Sequence, residues 1–465
     1  MGATDSFPSS EQTRTAIDQL GTFAAQLTYD GLPEALRRRL PLMLVDLFGV
    51  VVAGMRTPEL QALVGAWDSP PGERTVIGTD VRTTAEEGAY LAAIAACALE
   101  LDEGNKYASG HPAAHVVFAA VAAVLGSAPD VNVTGRQFLT AVAAGYEVAA
   151  RFGRATHRKS AWHTHGHWGA TGAATAAALL TGGDAATVAA AIDASTGLMH
   201  VTPWATVLTG SFTRNLWLAG ANQAGLRAAR LARARLVTNT GQAHYSLGEI
   251  MGSLDPTALV DGLGESWLTT EGYLKRHASC SYTHAAVDIV QALHHSRPWQ
   301  AEEVERVQVL SHSLAGPLLG RHPQNRLAAM FSMPFVVSNA VVNGRVDPGT
   351  MEPGSDAFLA AEEFSAKVDV TLSPEFDAEL PDRRCTEVTV HFSDGASIGL
   401  CQPNPIGDAN HFPLSAEDVH TKLLSLLDPP TVEGLHDIVG ALADSPSAAA
   451  SLADLSAASS GWADA

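Results

Sequence analysis

Residues 166–195 read GHWGATGAATAAALLTGGDAATVAAAIDAS, a stretch dominated by alanine, glycine and threonine. Side chains this small let helix backbones approach closely, so the segment belongs among other packed helices. The glycine pair at 182–183 divides it into two helices. The same texture fills the first half of the chain. Apolar residues at spacings of three and four predict a helix from Gln12 to about Leu27 and a second over PEALRRRLPLMLVDLFGVVVAGM. A third is expected over TTAEEGAYLAAIAACALELD, opened by Thr83 or Thr84 with Glu86 and Glu87 in its first turn. AAHVVFAAVAAVLG, TGRQFLTAVAAGYEVAARFGRA and residues 215–235 supply three more. Strands are hard to find before residue 265.

After about residue 268 the pattern changes. ERVQVLSHS, AKVDVTLSP and CTEVTVHFSDGASIGL are valine-rich and alternate, which is a strand signal, and SDG at 393–395 fits a tight hairpin turn. Helical pieces, THAAVDIVQALHH and PFVVSNAVVNG, lie between them. The expected fold is mainly α with a smaller α/β domain. It comprises an all-helical domain over 12–267, an α/β domain over 268–400, C-terminal helices over 401–445 that pack back on the helical domain, and an Ala/Ser-rich tail over 446–465 that frays. The first ten or so residues also look loose.

Composition narrows the function. Lys and Arg number 29 against 49 Asp and Glu, a net charge of -20, and no basic face for nucleic acid is visible. The densest basic stretch, RAARLARARL, fits a solvated helix edge. A net negative chain repels an anionic substrate, so an anion site here needs local cations. The four cysteines are widely spaced, which suggests no disulfide framework or zinc ribbon. No uncharged apolar run reaches a membrane span, and the N-terminus does not read as a secretory signal. A cytoplasmic protein is the expectation.

Three polar clusters interrupt the apolar pattern. LDEGNKYASGHPAAHV, residues 101–116, sets Asp102, Glu103, Asn105, Lys106, Tyr107 and His111 at the mouth of an apolar helix. It reads as a solvated loop or as a pocket wall. AWHTHGHWGATG places His163, His165 and His167 beside a helix start, where they could cap and pack, hold a metal, or serve an anion site with a histidine that moves protons. YLKRHASCSYTHAAVDIV brings Lys275, Tyr282 and a cysteine, Cys280, which lacks a local base and reads as a buried thiol. Arg214, near another helix start, is either a carboxylate-holding cation or a surface arginine. There is no GK[ST] or HExxH. An Asp, His, Lys and Arg set suits proton abstraction beside a carboxylate.

Together these segments resemble the MmgE/PrpD family, which includes 2-methylcitrate dehydratase, cis-aconitate decarboxylase and iminodisuccinate epimerase. LELDEGNKYASGHPAA, WHTHGHWGATGAATAAALLTG, LKRHASCSYTHAAVD and AAMFSMPFVVSNAVVNG carry the match, in family order and spacing, over roughly residues 12–435. The resemblance implies an active site in a cleft between a helical and an α/β domain, a homodimer, and no required metal or organic cofactor. Its cleft positions fall on Asp102, His111, His163 and Lys275. Asn105 stands where many members have His, Arg214 where many have Lys, His165 and His167 where Thr is frequent, and Phe335 where Tyr is frequent.

The shared chemistry is removal of a proton α to a carboxylate of a small di- or tricarboxylate. With His163 and Lys275 as a pair of bases flanking the carbon, oriented by Asp102, the favoured expectation is epimerisation of iminodisuccinate. His111, Lys106, Arg214, His165, His167, Asn105, Tyr107 and Tyr282 are the expected substrate contacts. A 2-methylcitrate dehydratase-like hydro-lyase, a cis-aconitate decarboxylase-like enzyme and a non-catalytic homologue are the alternatives.

Overall fold

A computed structural model describes residues 9–128 and 131–460. Ala/Gly-rich helices form the heart of the first half. Gly169–Leu180 packs against Pro112–Leu125, Gly135–Ala155 and Thr213–Arg233, and Ala185–Ser195 lies against Ser10–Gln26. Small side chains make this possible: Ala173, Ala174, Ala176 and Ala177 are all buried at the crossing. Local signals set the helix starts. Ser9 and Thr134 form capping boxes with Gln12 and Gln137, and Thr84 caps Ala85–Ala96. The arginines at 227, 230, 233 and 235 are exposed, as a solvated edge requires.

The second half holds a four-stranded sheet in the order Ser397–Gln402, Thr386–Phe392, Val304–Ser311, Val368–Leu372. The first two pairings are antiparallel and the last is parallel. The 393–395 turn joins the hairpin, with Gly395 at φ +84°. Helices His284–Ser296 and Met333–Asn343 cover the sheet. The fold is mostly helical with a smaller mixed α/β region. No single helix is long and apolar enough to cross a membrane among the described residues.

The C-terminal helices Ala416–Leu424 and Pro429–Gly440 contact the Glu34–Met55 helix. Lys422 Nζ bonds Asp46 Oδ1 at 2.7 Å and the Leu101 carbonyl at 2.8 Å. Asp46, which interrupts an apolar run in the sequence, is thus the counter-ion of Lys422, which ties Ala416–Leu424 to the 101–111 loop.

Two expectations need correction. The third helix ends at Ala96, not Asp102. Glu100 then adopts a left-handed φ of +52°, which no helix can contain. The tail is not frayed over its described part: Ala448–Ser460 is a helix with Leu452 and Leu455 buried, and Ser459 Oγ accepts the Gly78 amide at 2.9 Å. Alanine supplies helix propensity there, and the leucines anchor it. The loose-looking first eight residues lie outside the described residues.

Candidate active site

A very short pairing organises the site. Gly104–Asn105 and Gly272–Tyr273 form a two-residue antiparallel ladder, with Gly104 opposite Tyr273 and Asn105 opposite Gly272. Continued by two residues, this register sets Asp102 across from Lys275. Their side chains meet: Lys275 Nζ lies 3.3 Å from Asp102 Oδ1 and 2.9 Å from Glu100 Oε2. Gly104 is needed because a Cβ there would collide with the Tyr273 ring.

Glu100 pairs on its other oxygen with Arg214 Nη2, and Arg214 Nη1 donates to the Cys97 carbonyl at 3.1 Å. All four charged groups are buried. A left-handed non-glycine residue costs about 1–2 kcal/mol. Leaving one partner of a buried ion pair alone costs about 3–5 kcal/mol, so the turn at Glu100 is retained. Burial alone would raise both carboxyls, but His111 and Lys275 hold Asp102 well below the usual range, and Arg214 and Lys275 hold Glu100 down. Burial disfavours the Lys275 ammonium, yet Asp102 and Glu100 outweigh it and raise its pKa, so Lys275 is a charged proton donor and not a base.

The 101–111 loop also fixes His111. Its Nδ1 sits 2.7 Å from the Glu103 carbonyl and 3.0 Å from Asp102 Oδ2. In the neutral ring Nδ1 thus carries the proton, and among the described residues no hydrogen bond engages Nε2. Pro112 opens the next helix, whose Ala113 amide is capped by Glu103 Oε2 at 3.0 Å. Burial pushes the Glu103 carboxyl up to about 8, and the Tyr146 hydroxyl donates to its other oxygen.

His163 faces the same space from the 161–168 loop. That loop is pinned to the 200–204 segment by the His163 amide on the Thr202 carbonyl at 2.6 Å. The His165 amide donates to His163 Nδ1 at 3.3 Å, which leaves the proton on Nε2. Burial and then Arg214 keep His163 well below its ordinary pKa, so it is neutral. His165 lies edge-on between the rings of His111 and His163, at centroid distances of 4.8 and 4.5 Å, with neither ring nitrogen bonded. His167 Nε2 is spent on the His163 carbonyl at 2.6 Å, and burial lowers its pKa to about 3. The three histidines do not converge, and no group of three or more His, Cys, Asp or Glu is set to hold a metal among the described residues.

These groups surround a cavity of about 30 Å³. The helical part contributes Glu100, Ser109, His111, His163, Thr164, Trp204 and Arg214; the later part contributes Tyr273, Cys280, Ser281, Tyr282, Phe331 and Arg384. Of the expected residues, His111, His163, Arg214 and Tyr282 reach the wall. Asp102 and Lys275 stand behind it, in contact with His111 and Glu100. His165 and His167 are buried and neutral beyond the wall and grip no anion as cations. Three expected contacts point elsewhere. Lys106 is bound to Asp408 at 3.0 Å and the Asp382 carbonyl at 2.9 Å. Asn105 accepts the Tyr107 and Ala108 amides and donates to the Leu268 carbonyl. Tyr107 donates to Asp382 Oδ1 at 2.9 Å. Phe335 packs on Phe358 in the core and does not line the cavity. Cys280 lines it, but burial pushes its thiol up to about 11, which keeps it inert.

Sequence reasoning missed Glu100 and Arg384. Glu100 had a signal: an acid in the closing turn of an apolar helix opposes the helix dipole. Arg384 had none, since nothing around it in the chain marks it.

Two family models match the chain: the MmgE/PrpD N-terminal domain over residues 18–243 and the MmgE/PrpD C-terminal domain over residues 277–436. Among curated proteins, the chain is 24% identical over 446 residues to a cis-aconitate decarboxylase of Aspergillus terreus, covering 90% of this chain and 91% of that one. It is 25% identical over 432 residues to the cis-aconitate decarboxylase-like protein oryM of Aspergillus oryzae, covering 86% of this chain and 87% of that one.

Proposed function

The chain belongs to the MmgE/PrpD family and acts on small carboxylic acids, and from that premise we propose that it is a lyase that decarboxylates a small unsaturated tricarboxylate of the cis-aconitate kind, with His111 as the proton-carrying group. One observation carries this reading. His111, on the cavity wall, is held at Nδ1 by the Glu103 carbonyl and Asp102, and among the described residues nothing bonds its Nε2. The C–C bond to one carboxylate breaks, and CO₂ leaves. The electron pair stays on the substrate, spread into the remaining unsaturated acid. A proton from Nε2 of the His111 imidazolium then completes the new C–H bond, and solvent restores it. Asp102 supports the imidazolium between turnovers. Arg214, on the wall, favours the negative charge that develops.

Epimerisation is the second reading. It needs proton-transfer groups at two faces of one carbon. Lys275 is a poor second group, since it is locked between two carboxylates behind the wall. His163 is a better one, because it lines the cavity and the His165 amide on its Nδ1 leaves Nε2 as the proton-bearing nitrogen. A homodimer belongs to either reading. The exposed Leu198, Tyr245 and Ile250, on the neighbouring short helices Thr196–Leu198 and His244–Met251, and Val201 in the loop after the first of them support it.

A cavity of about 30 Å³ has room for about one water and not for a tricarboxylate. Binding therefore requires its two walls to separate. The test is incubation with cis-aconitate, 2-methylcitrate and iminodisuccinate in D₂O, followed by proton NMR. Loss of CO₂ with one deuterium gained on carbon is the expected result. Exchange on an intact skeleton would replace the decarboxylase with an epimerase, loss of water with a hydro-lyase, and no change with a non-catalytic protein.

A further inference from the structure

Arg384 sits just before the Thr386–Phe392 strand and is only 4% exposed. It lines the cavity with His111, His163 and Arg214. Its Nη1 reaches Ser281 Oγ at 3.4 Å and its Nη2 the Lys106 carbonyl at 3.2 Å, and its Nε has no partner. The Tyr273 and Tyr282 rings lie 5.6 and 5.2 Å from its guanidinium carbon. No carboxylate pairs with it among the described residues.

That absence matters because the other charges of the site are balanced. Glu100 and Asp102 answer Arg214 and Lys275. Lys106, next to the Arg384 contact, is answered by Asp408. Arg384 is therefore a positive charge left over on the wall of a cavity in a chain of net charge -20. A buried guanidinium without a carboxylate is costly to keep. Its planar fork matches a carboxylate in two parallel hydrogen bonds, and the two nearby tyrosine rings attract its charge. The two bonds it now makes are to a carbonyl and a hydroxyl, which an anion can replace as the walls part.

We infer that Arg384 receives a second carboxylate of the substrate and so selects polycarboxylates over monocarboxylates. This deepens the acid–base reading above and rests on it for the reacting end of the molecule.

The test measures binding of succinate and of succinamate, in which a neutral carboxamide replaces one carboxylate at nearly the same size. Isothermal titration is run on the wild type, Arg384→Met and Arg384→Lys. The wild type is expected to prefer succinate by about tenfold or more. In Arg384→Met the preference falls below about twofold while succinamate affinity holds, and in Arg384→Lys it is intermediate. Equal loss of both ligands in Arg384→Met would make the residue a mere tie between Ser281 and Lys106 and overturn the inference. So would an unchanged preference, or a wild-type preference below about twofold, which needs no variant to fold. The two failures are distinguishable. Carboxylate turnover with an unchanged preference in Arg384→Met sinks this inference alone. A preference that collapses in a protein with no turnover sinks only the catalytic reading.

Discussion

At the scale of single residues, the site is a set of charges that hold one another. Asp102 touches both Lys275 and His111, so it fixes the imidazole and shares the ammonium. Asp102→Asn keeps the shape and removes the charge. The amide cannot favour an imidazolium at His111, and Lys275 retains only Glu100. Turnover is expected to fall by ~10²–10⁴ with a smaller change in KM. Steady-state kinetics on whichever carboxylate the wild type consumes checks this, and a KM effect with kcat preserved would reassign Asp102 to binding. Glu100 shows how a residue can matter without touching chemistry. It accepts a left-handed backbone because two buried cations depend on it.

At the scale of elements, the 101–111 segment is a hinge between a helix end, a two-residue strand and a helix start. Glu103 joins these pieces, capping Ala113 and accepting from Tyr146. Its carboxyl ionises at 4.5 when free and at about 8 in the fold. The folded protein therefore holds a proton that the unfolded chain releases. The stabilising contribution is complete below the free value and is lost as pH rises toward the folded one. Glu103→Gln can keep the Ala113 cap through its carbonyl oxygen and donate from its amide to the Tyr146 oxygen, without titrating. Melting temperatures from pH ~5.5 to pH ~9 are expected to fall more for the wild type than for Glu103→Gln. Parallel curves would show that Glu103 is ionised throughout. This segment also marks what could be read in the chain. Long helices and alternating strands were legible because their periods repeat. The meeting of Asp102 with Lys275 was not, because a two-residue ladder leaves no pattern. His111 was singled out by its residue type, but its bond to the Glu103 carbonyl depends on a turn that only the folded chain reveals. Lys106 was misplaced for a related reason: Asp408 is about three hundred residues away in sequence, and nothing local announces the pair.

At the scale of the whole molecule, distant parts of the chain converge on one small cavity. The first half supplies the imidazoles, the later half supplies Tyr282 and Arg384, and Lys422 anchors the loop from behind at the Leu101 carbonyl. The final helix contributes to this frame. Leu455→Ala is expected to cost ~2–5 kcal/mol of stability by leaving a cavity beneath Ala448–Ser460, readable by chemical denaturation. No loss would return the tail to a dispensable role. The proposed decarboxylation rests on a proton delivered from Nε2 of the His111 imidazolium. Its most direct test is the single-turnover rate at which the wild type and His111→Ala form the protonated, decarboxylated acid from cis-aconitate in D₂O, with product deuterium read by mass. The predicted result is one deuterium in the wild-type product and a rate lower by ~10²–10⁴ in the folded variant. A His111→Ala enzyme that forms the same labelled product at the wild-type rate would contradict it.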